Sequence, residues 1–502
     1  MMSSCSNIKP PQSNIDLNYL GTQKTQWRDT INRDFTKKDQ KDTVILFGGM
    51  TILQDRLVMA ALEAKKEKYV ALPNPDFESF RTGKAYGNRG QCNPTYFTVG
   101  NLVKYLQNIQ KETGMSSEEI VQKYAYVTAN GCGPCRFGMY ITEYRKALTD
   151  AGFEGFRVFS FEHNKITNED GSESELNLSP ALYITPIKAV LIGDIINILS
   201  HKIRPYEVEK GATDKAIEKC YDIVSDALKN NKNLLFALWK CRKELAKVKL
   251  DRLQIKPKVM IVGEFWAAMT EGDGNYNLHR FLEAEGAESI PQPIINRLML
   301  SIWESTYFFN KELDIEDEAK TNYFDFSSTK RRIITKLLEV TIKSYFTLYA
   351  KTIGLHDYTL PDIEALSKLS RVYFPLDAEG GEGHMEVAHL LESIHHNIAH
   401  LVISVKPFGC MPSSAVSDGI QSLVTSHYPS ANFLSIETSG EGAANFYSRV
   451  QMALFKAKQS AKEEFEALET PEHIPEKVHN YLYQPKNEKA GTAAQLLYSL
   501  NM

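Results

Sequence analysis

The sequence has few cysteines, no dense block of basic residues and no uninterrupted apolar run of membrane-spanning length. Seven cysteines among 502 residues are too few for a disulfide framework, and where they cluster we expect metal or catalytic use. The 58 basic and 62 acidic residues give a net charge of -4, which disfavours a nucleic-acid partner. The first twenty residues lack the apolar stretch of a signal peptide. We therefore expect a soluble, cytoplasmic protein that does not enter a membrane.

The longest apolar window, ALYITPIKAVLIGDIINIL, is interrupted by polar and helix-disrupting residues. Pro186, Lys188 and Asp194 all lie within it, whereas a bilayer-spanning helix needs about 20 mostly apolar residues. The window therefore predicts a buried helix.

Short apolar runs that alternate with helical periodicity favour parallel sheets with right-handed crossovers. The predicted strands are TVILFGG (43–49), KYVALPNP (68–75), YAYVTANG (124–131), FRVFSF (156–161), KPKVMIVGEF (256–265), LVISVKPFGC (401–410) and ANFLSIE (431–437). Two groups of such strands predict an α/β fold with two parallel-sheet lobes and additional helical segments.

Composition and periodicity suggest where the parts of the chain begin and end. The predicted parts are an N-terminal arm (1–42), a first α/β lobe (43–165), a helical connecting region (166–255), a second α/β lobe (256–470) with a helical insertion at about 294–400, and a C-terminal tail (471–502). The chain has no short repeat of the solenoid type.

The tetrapeptide Cys132-Gly-Pro-Cys135 is typical of the redox dithiol of thioredoxins, although no thioredoxin-sized pattern surrounds it. A thioredoxin site usually has a tryptophan before the first cysteine, and here that position is Gly131. The two thiols could exchange disulfides, hold a metal centre or simply fill space.

Four cysteines lie in loops that follow predicted strands or precede predicted helices: Cys92, Cys132, Cys135 and Cys410. Such loops line the ligand crevice of an open parallel sheet, and helix N-termini stabilise thiolate anions. A zinc ribbon would need a second CxxC pair, so soft thiolates placed in this way suit an iron–sulfur cluster better. The alternative is that these cysteines are only packed in Gly- and Pro-rich loops.

The remaining three cysteines have less distinctive positions. Cys5 lies in the N-terminal arm, and Cys220 and Cys241 lie within helical patterns. For these three we predict packing or incidental thiols.

Five segments of the chain resemble the cluster-bearing components of 2-hydroxyacyl-CoA dehydratases and benzoyl-CoA reductases, and more closely the proteins related to the activase of those dehydratases. These segments are GKAYGNRGQCNPTYFTVGNL, GCGPCRFGMY, VMIVGEF, GGEGHMEVAHLLESI and KPFGCMPSS, which follow one another in the family's order between residues 43 and 465. The combination of GPCRFG with a distant PFGCMP is the most specific part of the resemblance.

The resemblance implies Rossmann-like lobes with a 4Fe-4S cluster held between them by three cysteines. Cys92, Cys135 and Cys410 match the cluster cysteines. Cys132 has no fixed role in the pattern and could be a fourth ligand, a spare thiol or a reserve for another oxidation state. Four well-placed cysteines favour a single cubane over the double-cubane cluster of some relatives.

Four further residues near the matched loops are candidates for catalytic roles. Arg136 could donate hydrogen bonds to cluster sulfides or to an anionic substrate, or it could be a surface arginine at a helix start. Glu264 could face the space between the lobes or cap a helix, and Glu382 and His384 could transfer protons or cap a helix. A metal site on His395, His396 and His400 rests on proximity alone.

The resemblance also implies partners. In the family, an ATP-hydrolysing activase of the actin-like class passes one low-potential electron to the cluster, which reduces an acyl-CoA. Neither an actin-like ATPase pattern nor a P-loop occurs in this sequence, so the activase is expected to be a separate subunit. Family members commonly work as pairs of related subunits, which implies a homodimer or a heterodimer.

Several functions fit these sequence features. The first is an iron–sulfur lyase or reductase component that acts on an acyl-CoA or a related small molecule. The second is a non-catalytic electron-transfer or activation partner of such an enzyme. The third is a thiol-redox protein or a binding protein without a cluster.

Overall fold

In a computed structural model of the chain, two four-stranded parallel sheets with helices packed against them form two lobes. This architecture confirms the predicted fold class. The structure describes residues 42–64, 68–129, 131, 135–161, 180–251, 254–319, 326–378, 381–415, 419–467 and 476.

The first lobe contains four parallel strands in the order β2-β1-β3-β4. They are β1 (Val44–Phe47), β2 (Tyr69–Ala71), β3 (Tyr124–Ala129) and β4 (Arg157–Phe161). Leu46 of β1 pairs with Val70 on one side and with Tyr126 on the other. The strands are rich in apolar residues because helices cover both faces of a parallel sheet.

The first lobe contains five described α-helices. They are α1 (Ile52–Glu63), α2 (Phe77–Tyr86), α3 (Asn93–Thr113), α4 (Ser117–Lys123) and α5 (Tyr140–Asp150). At the starts of α1, α2 and α4 a short polar side chain caps a free amide. Asp76 and Ser116 each form a capping box, at the starts of α2 and α4.

Helices α2 and α3 cross at very close range. A Cβ atom on Gly100 would lie 1.8 Å from the carbonyl oxygen of Ser79, and one on Gly83 would lie 1.9 Å from that of Tyr96. These distances lie far inside van der Waals contact, so both positions require glycine. The crossing fixes the start of α3 and therefore the position of Cys92, which immediately precedes it.

A helical region follows the first lobe, with α6 (Pro180–Ile203), α7 (Ala212–Lys229) and α8 (Leu234–Leu245). The apolar window predicted as a buried helix belongs to α6, where Ile192, Ile195 and Leu199 are fully buried. Within the described residues, none of the helices combines the length and apolar character needed to cross a membrane.

The second lobe repeats the strand order of the first, as β6-β5-β7-β8. Its parallel strands are β5 (Lys258–Gly263), β6 (Glu288–Ile290), β7 (Leu401–Pro407) and β8 (Phe433–Thr438). Three of them were predicted from the sequence. The edge strand β6 was not, because Glu288 and Ser289 interrupt the apolar pattern.

The described part of the second lobe contains nine α-helices. They are α9 (Phe265–Met269), α10 (Leu278–Ala284), α11 (Ile294–Ala319), α12 (Phe326–Ile353), α13 (Ile363–Ser370), α14 (Gly383–His396), α15 (Met411–Ala415), α16 (Gln421–His427) and α17 (Ala443–Glu466). Helices α11 to α14 form the predicted helical insertion.

The two lobes meet where loops at the carboxyl ends of their strands contact each other. The amide of Ile52 donates a hydrogen bond to the Glu271 carboxylate at 2.7 Å, and the amide of Phe77 donates one to Asp273 at 2.9 Å. Two acids of the second lobe thus bind the N-termini of two helices of the first, where negative charge is favourable.

Candidate functional site

Cys92 lies at the N-cap of α3 and is buried. Its Sγ atom is 3.0 Å from the hydroxyl of Tyr140 and 3.1 Å from Oγ1 of Thr95. Burial raises the pKa of this thiol above its ordinary value. The two hydroxyl groups are placed to donate hydrogen bonds to a thiolate, which stabilises the charged sulfur.

Cys135 follows β3 and immediately precedes a short 3₁₀ helix, Arg136–Met139. Burial raises the pKa of its thiol to about 11, and the charges of Glu264, Glu382 and Cys92 add to the shift. Thiols that exchange disulfides readily have lowered pKa values. Cys135 therefore lacks the environment of a thioredoxin-like nucleophile, while Cys132 lies outside the described residues.

Arg136 joins the Cys135 loop to the loop before Cys92. Its Nη1 atom donates a hydrogen bond to the carbonyl oxygen of Gly90 at 2.5 Å. Its buried Nε atom has no hydrogen-bond partner among the described residues. This side chain therefore links the two loops, starts the 3₁₀ helix and leaves one buried donor without a partner among the described residues.

Cys410 follows β7 and is buried just before α15. Burial raises the pKa of its thiol well above the ordinary value; the charge of Glu264 adds to the shift, whereas a hydrogen bond with Ser413 opposes it.

The loops of Cys92 and Cys410 touch each other across the lobe boundary. The amide of Asn93 donates a hydrogen bond to the carbonyl oxygen of Phe408 at 3.0 Å. A Cβ atom on Gly409 would lie 3.3 Å from Cα of Cys92. The structure thus brings together loops that are more than 300 residues apart in sequence.

Glu264 is the common electrostatic neighbour of the three described thiols, since its charge raises the pKa values of Cys92, Cys135 and Cys410. It follows β5 and caps α9 by accepting a hydrogen bond from the amide of Ala267 at 2.8 Å. Burial raises the pKa of the Glu264 carboxyl to about 7. Both predicted roles, a capping residue and a carboxylate facing the other lobe, therefore apply to the same side chain.

Two further carboxyl groups, both on or beside α14, adjoin Glu264. Burial raises the pKa of Glu386 to about 8, although this carboxyl accepts hydrogen bonds from Ser404 at 3.2 Å and from Ser413 at 3.0 Å. Burial also raises the pKa of Glu382. Glu382 occupies the N-cap position of α14, although its side chain forms no capping hydrogen bond.

Arg297, on α11, supplies positive charge to this group of acids. Its Nε atom is 3.1 Å from Glu382, and its Nη1 atom donates hydrogen bonds to Ser301 at 2.8 Å and to Glu304 at 3.3 Å. Neither Arg297 nor Glu386 was predicted from the sequence. A single basic residue among apolar neighbours in the run PIINRLML was the available signal for Arg297.

His384 is buried, and its Nε2 atom has no partner among the described residues. Its ring lies against Trp303 with centroids 5.5 Å apart. Burial and the nearby Arg297 lower the pKa of this imidazole to about 4. His384 is therefore neutral at physiological pH and does not cap α14 through its ring.

A small cavity of about 60 Å³ adjoins two of these carboxyl groups, those of Glu382 and Glu386. Its walls are mostly apolar, with Val262, Phe265, Leu300, Ile363 and Met385 beside Arg297, Glu382 and Glu386. Because one water needs roughly 10–15 Å³ of such space, the cavity would hold a group of only a few atoms.

A larger cleft of about 500 Å³ shares Gln292 and Pro293 with the small cavity. It lies beyond the carboxyl ends of β1 and β6, where open parallel sheets bind ligands. Paired charges line it, including Arg56 with Glu218 at 2.7 Å and Arg280 with Asp214 at 3.0 Å. Its volume falls within the range of small-molecule sites.

The three histidines that are close in sequence, His395, His396 and His400, do not share one helix. Helix α14 ends at His396, so His400 lies outside it and instead accepts a hydrogen bond from the amide of Lys258 at 2.9 Å. His395 contacts the hydroxyl of Tyr428 at 3.2 Å. Each of these two imidazoles therefore has a structural partner of its own.

The other described cysteines are core residues. Cys220 on α7 and Cys241 on α8 are fully buried, and each Sγ atom lies 3.7 Å from the carbonyl oxygen of the other. The predicted packing role fits this position. Cys5 lies outside the described residues.

Among the residues that the structure describes, no group of three or more His, Cys, Asp and Glu side chains is arranged to hold a single metal ion. The three described thiols are therefore not gathered around one point. A 4Fe-4S cluster binds each thiolate through a different iron. Its thiols therefore surround the cluster and lie further apart than the ligands of a single metal ion. Soft donors on touching loops, enclosed by protein, are chemically compatible with such a group.

Comparison with known proteins adds no relative: no protein-family model matches this chain, and the curated proteins contain no match to it.

Proposed function

We propose that the chain is an iron–sulfur protein similar to the components of 2-hydroxyacyl-CoA dehydratases, with a 4Fe-4S cluster bound by Cys92, Cys135 and Cys410. The supporting observation is the contact between the three cysteine loops, which come from two lobes: Asn93 bonds Phe408, and Arg136 bonds Gly90. A separate ATP-hydrolysing activase would supply the electron, and an acyl-CoA or a related small molecule would receive it.

The surroundings of the thiols support this proposal chemically. Iron–sulfur clusters are held by thiolates and tuned by hydrogen bonds to sulfur and by exclusion of solvent. Cys92 and Cys410 are buried, and the hydroxyl of Tyr140 reaches Sγ of Cys92. Metal binding would offset the raised thiol pKa values, because ligating thiols are deprotonated.

The chain's own residues supply proton handling next to the thiols. With pKa values of about 7 and about 8, Glu264 and Glu386 hold a substantial share of their protons at neutral pH. Such groups are suited to general acid and base work. Arg297 would hold an anionic group in the adjoining cavity while remaining paired with Glu382.

The two neighbouring cavities, which share Gln292 and Pro293 in their walls, would fit a substrate with a small reacting group and a larger polar part. The small apolar cavity beside Glu382 and Glu386 would enclose the reacting group. The larger cleft would hold the polar part among its charged side chains. When bound, the cluster would supply one-electron reduction at low potential; binding, orientation and exclusion of water would fall to these residues.

The test is metal content with matched cysteine variants. Protein purified anaerobically should contain about four iron and four sulfide per chain and give an EPR signal after dithionite reduction. Replacement of Cys92, Cys135 or Cys410 with serine should abolish or strongly reduce this content. Cys220→Ser and Cys241→Ser are the controls, because these equally buried thiols lie in a separate core, and both should keep the cluster.

The outcome for Cys132→Ser separates the enzyme from an electron relay. A cluster that persists in this variant supports three-cysteine ligation with one iron open to substrate. Loss of the cluster would support complete thiolate ligation and a protein that only relays electrons. Wild-type protein that stays free of iron after cluster reconstitution would refute the proposal.

A further inference from the structure

Helix α12 carries a row of large apolar side chains on its outer surface. Ile334, Leu337, Tyr345 and Leu348 are 54%, 64%, 39% and 46% exposed. Ile333, Leu338 and Val340 flank this row and are also exposed. Monomeric proteins seldom expose contiguous apolar patches of more than a few hundred Å², so this face is unusual for a surface that remains in water.

The inner face of α12 is already fully used. Ile342, Phe346, Tyr349 and Ile353 are buried in the large core that also contains residues of α6 and α8. The exposed row therefore does not anchor the helix to its own lobe. Its apolar residues form a second, exposed face, turned by roughly 110° around the helix from the buried one.

The exposed row is symmetric about Thr341, which is itself exposed. Ile334 and Leu348 lie seven residues before and after Thr341, and Leu337 and Tyr345 lie four residues before and after it. Because successive residues turn by about 100° around a helix, these five side chains fall within a stripe about 80° wide. We call them the α12 stripe.

We propose that the α12 stripe is the interface with a second copy of this chain, with the two helices antiparallel and related by a two-fold axis at Thr341. In a two-fold interface, residue i of one copy meets residue j of the other, and j meets i. This arrangement places Ile334 against Leu348 and Leu337 against Tyr345, so every large apolar member of the stripe meets another apolar residue. The proposal does not depend on the iron–sulfur function.

Charge and area are compatible with a second copy as the occupant. Glu339 and Lys343 pair with each other at 2.7 Å on the opposite side of the helix, so the stripe itself contains no charged side chain. The exposed area of the stripe and its three flanking residues is on the order of 700 Å² per copy, close to the roughly 800 Å² that each partner contributes to a standard interface.

The first test is the oligomeric state of the full chain, measured by sedimentation velocity over a range of protein concentrations. The wild type should sediment as a dimer. Leu337→Glu should shift it to a monomer or raise the dissociation constant at least tenfold. The control is Phe455→Glu on α17, where the side chain is 64% exposed outside the stripe, and this variant should remain dimeric.

The second test uses charge to check the register. Tyr345→Lys alone should also weaken the dimer. The double variant Leu337→Glu/Tyr345→Lys should recover it, because each new glutamate would face the new lysine of the other copy. Circular dichroism spectra that match the wild type would show that all variants are folded.

A monomeric wild type, or a dimer that Leu337→Glu leaves intact, would overturn the proposed interface. A double variant that is no more dimeric than the single variants would overturn the antiparallel register about Thr341.

Discussion

The amide of Asn93 donates a hydrogen bond to the carbonyl oxygen of Phe408 over 3.0 Å, and this bond joins the two lobes beside two cysteines. Asn93 directly follows Cys92, and Phe408 lies two residues before Cys410. The backbone itself therefore sets how closely the two thiol-bearing loops approach. Gly409 lies between Phe408 and Cys410.

Gly409→Ala should destabilise the loop contact more than a matched glycine substitution does. Gly409 has a positive φ of 78°, and an added Cβ would lie 3.2 Å from the carbonyl oxygen of Gln91. Gly90 has a similar φ of 77° but open space around it. Both alanines should cost about 1 kcal/mol in backbone strain, and Gly409→Ala should lose about 1 kcal/mol more through crowding. Urea unfolding of both variants measures the difference, and equal losses would show that the contact is not tight.

Arg297→Met should destabilise the fold by about 2 kcal/mol. It leaves the partly buried carboxyl groups of Glu382 and Glu304 without their cation, and breaking a fully buried pair from one side costs more, about 3–5 kcal/mol. The double variant Arg297→Met/Glu382→Gln should recover part of this loss because it removes one unpaired charge. Equal stabilities of the single and double variants in chemical denaturation would argue against this pairing.

Asp194→Asn should weaken the pH dependence of stability. Asp194 accepts hydrogen bonds from the amides of Ile294 and Ile295 at 2.9 Å each, and burial raises the pKa of its carboxyl from 3.8 to about 7. Between these two pH values the folded chain binds more protons at this site than the unfolded chain does. Stability should therefore fall as the pH rises through this window, by up to about 1.4 kcal/mol per pH unit from this group.

The measurement for Asp194 is the difference in unfolding free energy between wild type and Asp194→Asn at pH 5, 6 and 7. Asparagine does not titrate, so the wild type should lose stability relative to the variant as the pH rises. Parallel curves would mean that the Asp194 carboxyl has an ordinary pKa in the folded protein.

Tyr140→Phe should lower the reduction potential of the proposed cluster. It removes the hydroxyl that lies 3.0 Å from Sγ of Cys92, and a hydrogen bond to sulfur favours the reduced, more negative form. One such bond of about 1 kcal/mol corresponds to a decrease on the order of 40 mV. Tyr144→Phe is the control, since its hydroxyl contacts that of Tyr126. A redox titration that shows the same potential in both variants would contradict the assignment.

The fold was largely predictable because parallel strands with both faces covered leave a strong apolar signal. VILF in β1 and VMIV in β5 are continuous runs of this kind. The edge strand β6 escaped prediction because Glu288 is buried through a hydrogen bond from Tyr206 rather than through apolar character. The hydrogen bond that compensates for burying Glu288 comes from a residue 82 positions earlier. A local sequence pattern does not show such a partner.

The site was predictable only as far as its parts lie in loops after strands. That rule located Cys135, Cys410 and Glu264. It could not find Arg297 or Glu386, because each lies on a helix and reaches the site through packing between distant segments. His400 lies outside α14 because Asn397, three residues earlier, adopts a left-handed conformation that ends the helix.

The identical strand order of the two sheets has a consequence for how the site can work. Each lobe offers the same kind of edge, and the site takes Cys92 and Cys135 from one edge and Cys410 and Glu264 from the other. A hinge motion between the lobes would separate these donors and admit solvent in the same movement. In such a motion, the angle between the two lobes would set both the separation of these residues and the access of solvent.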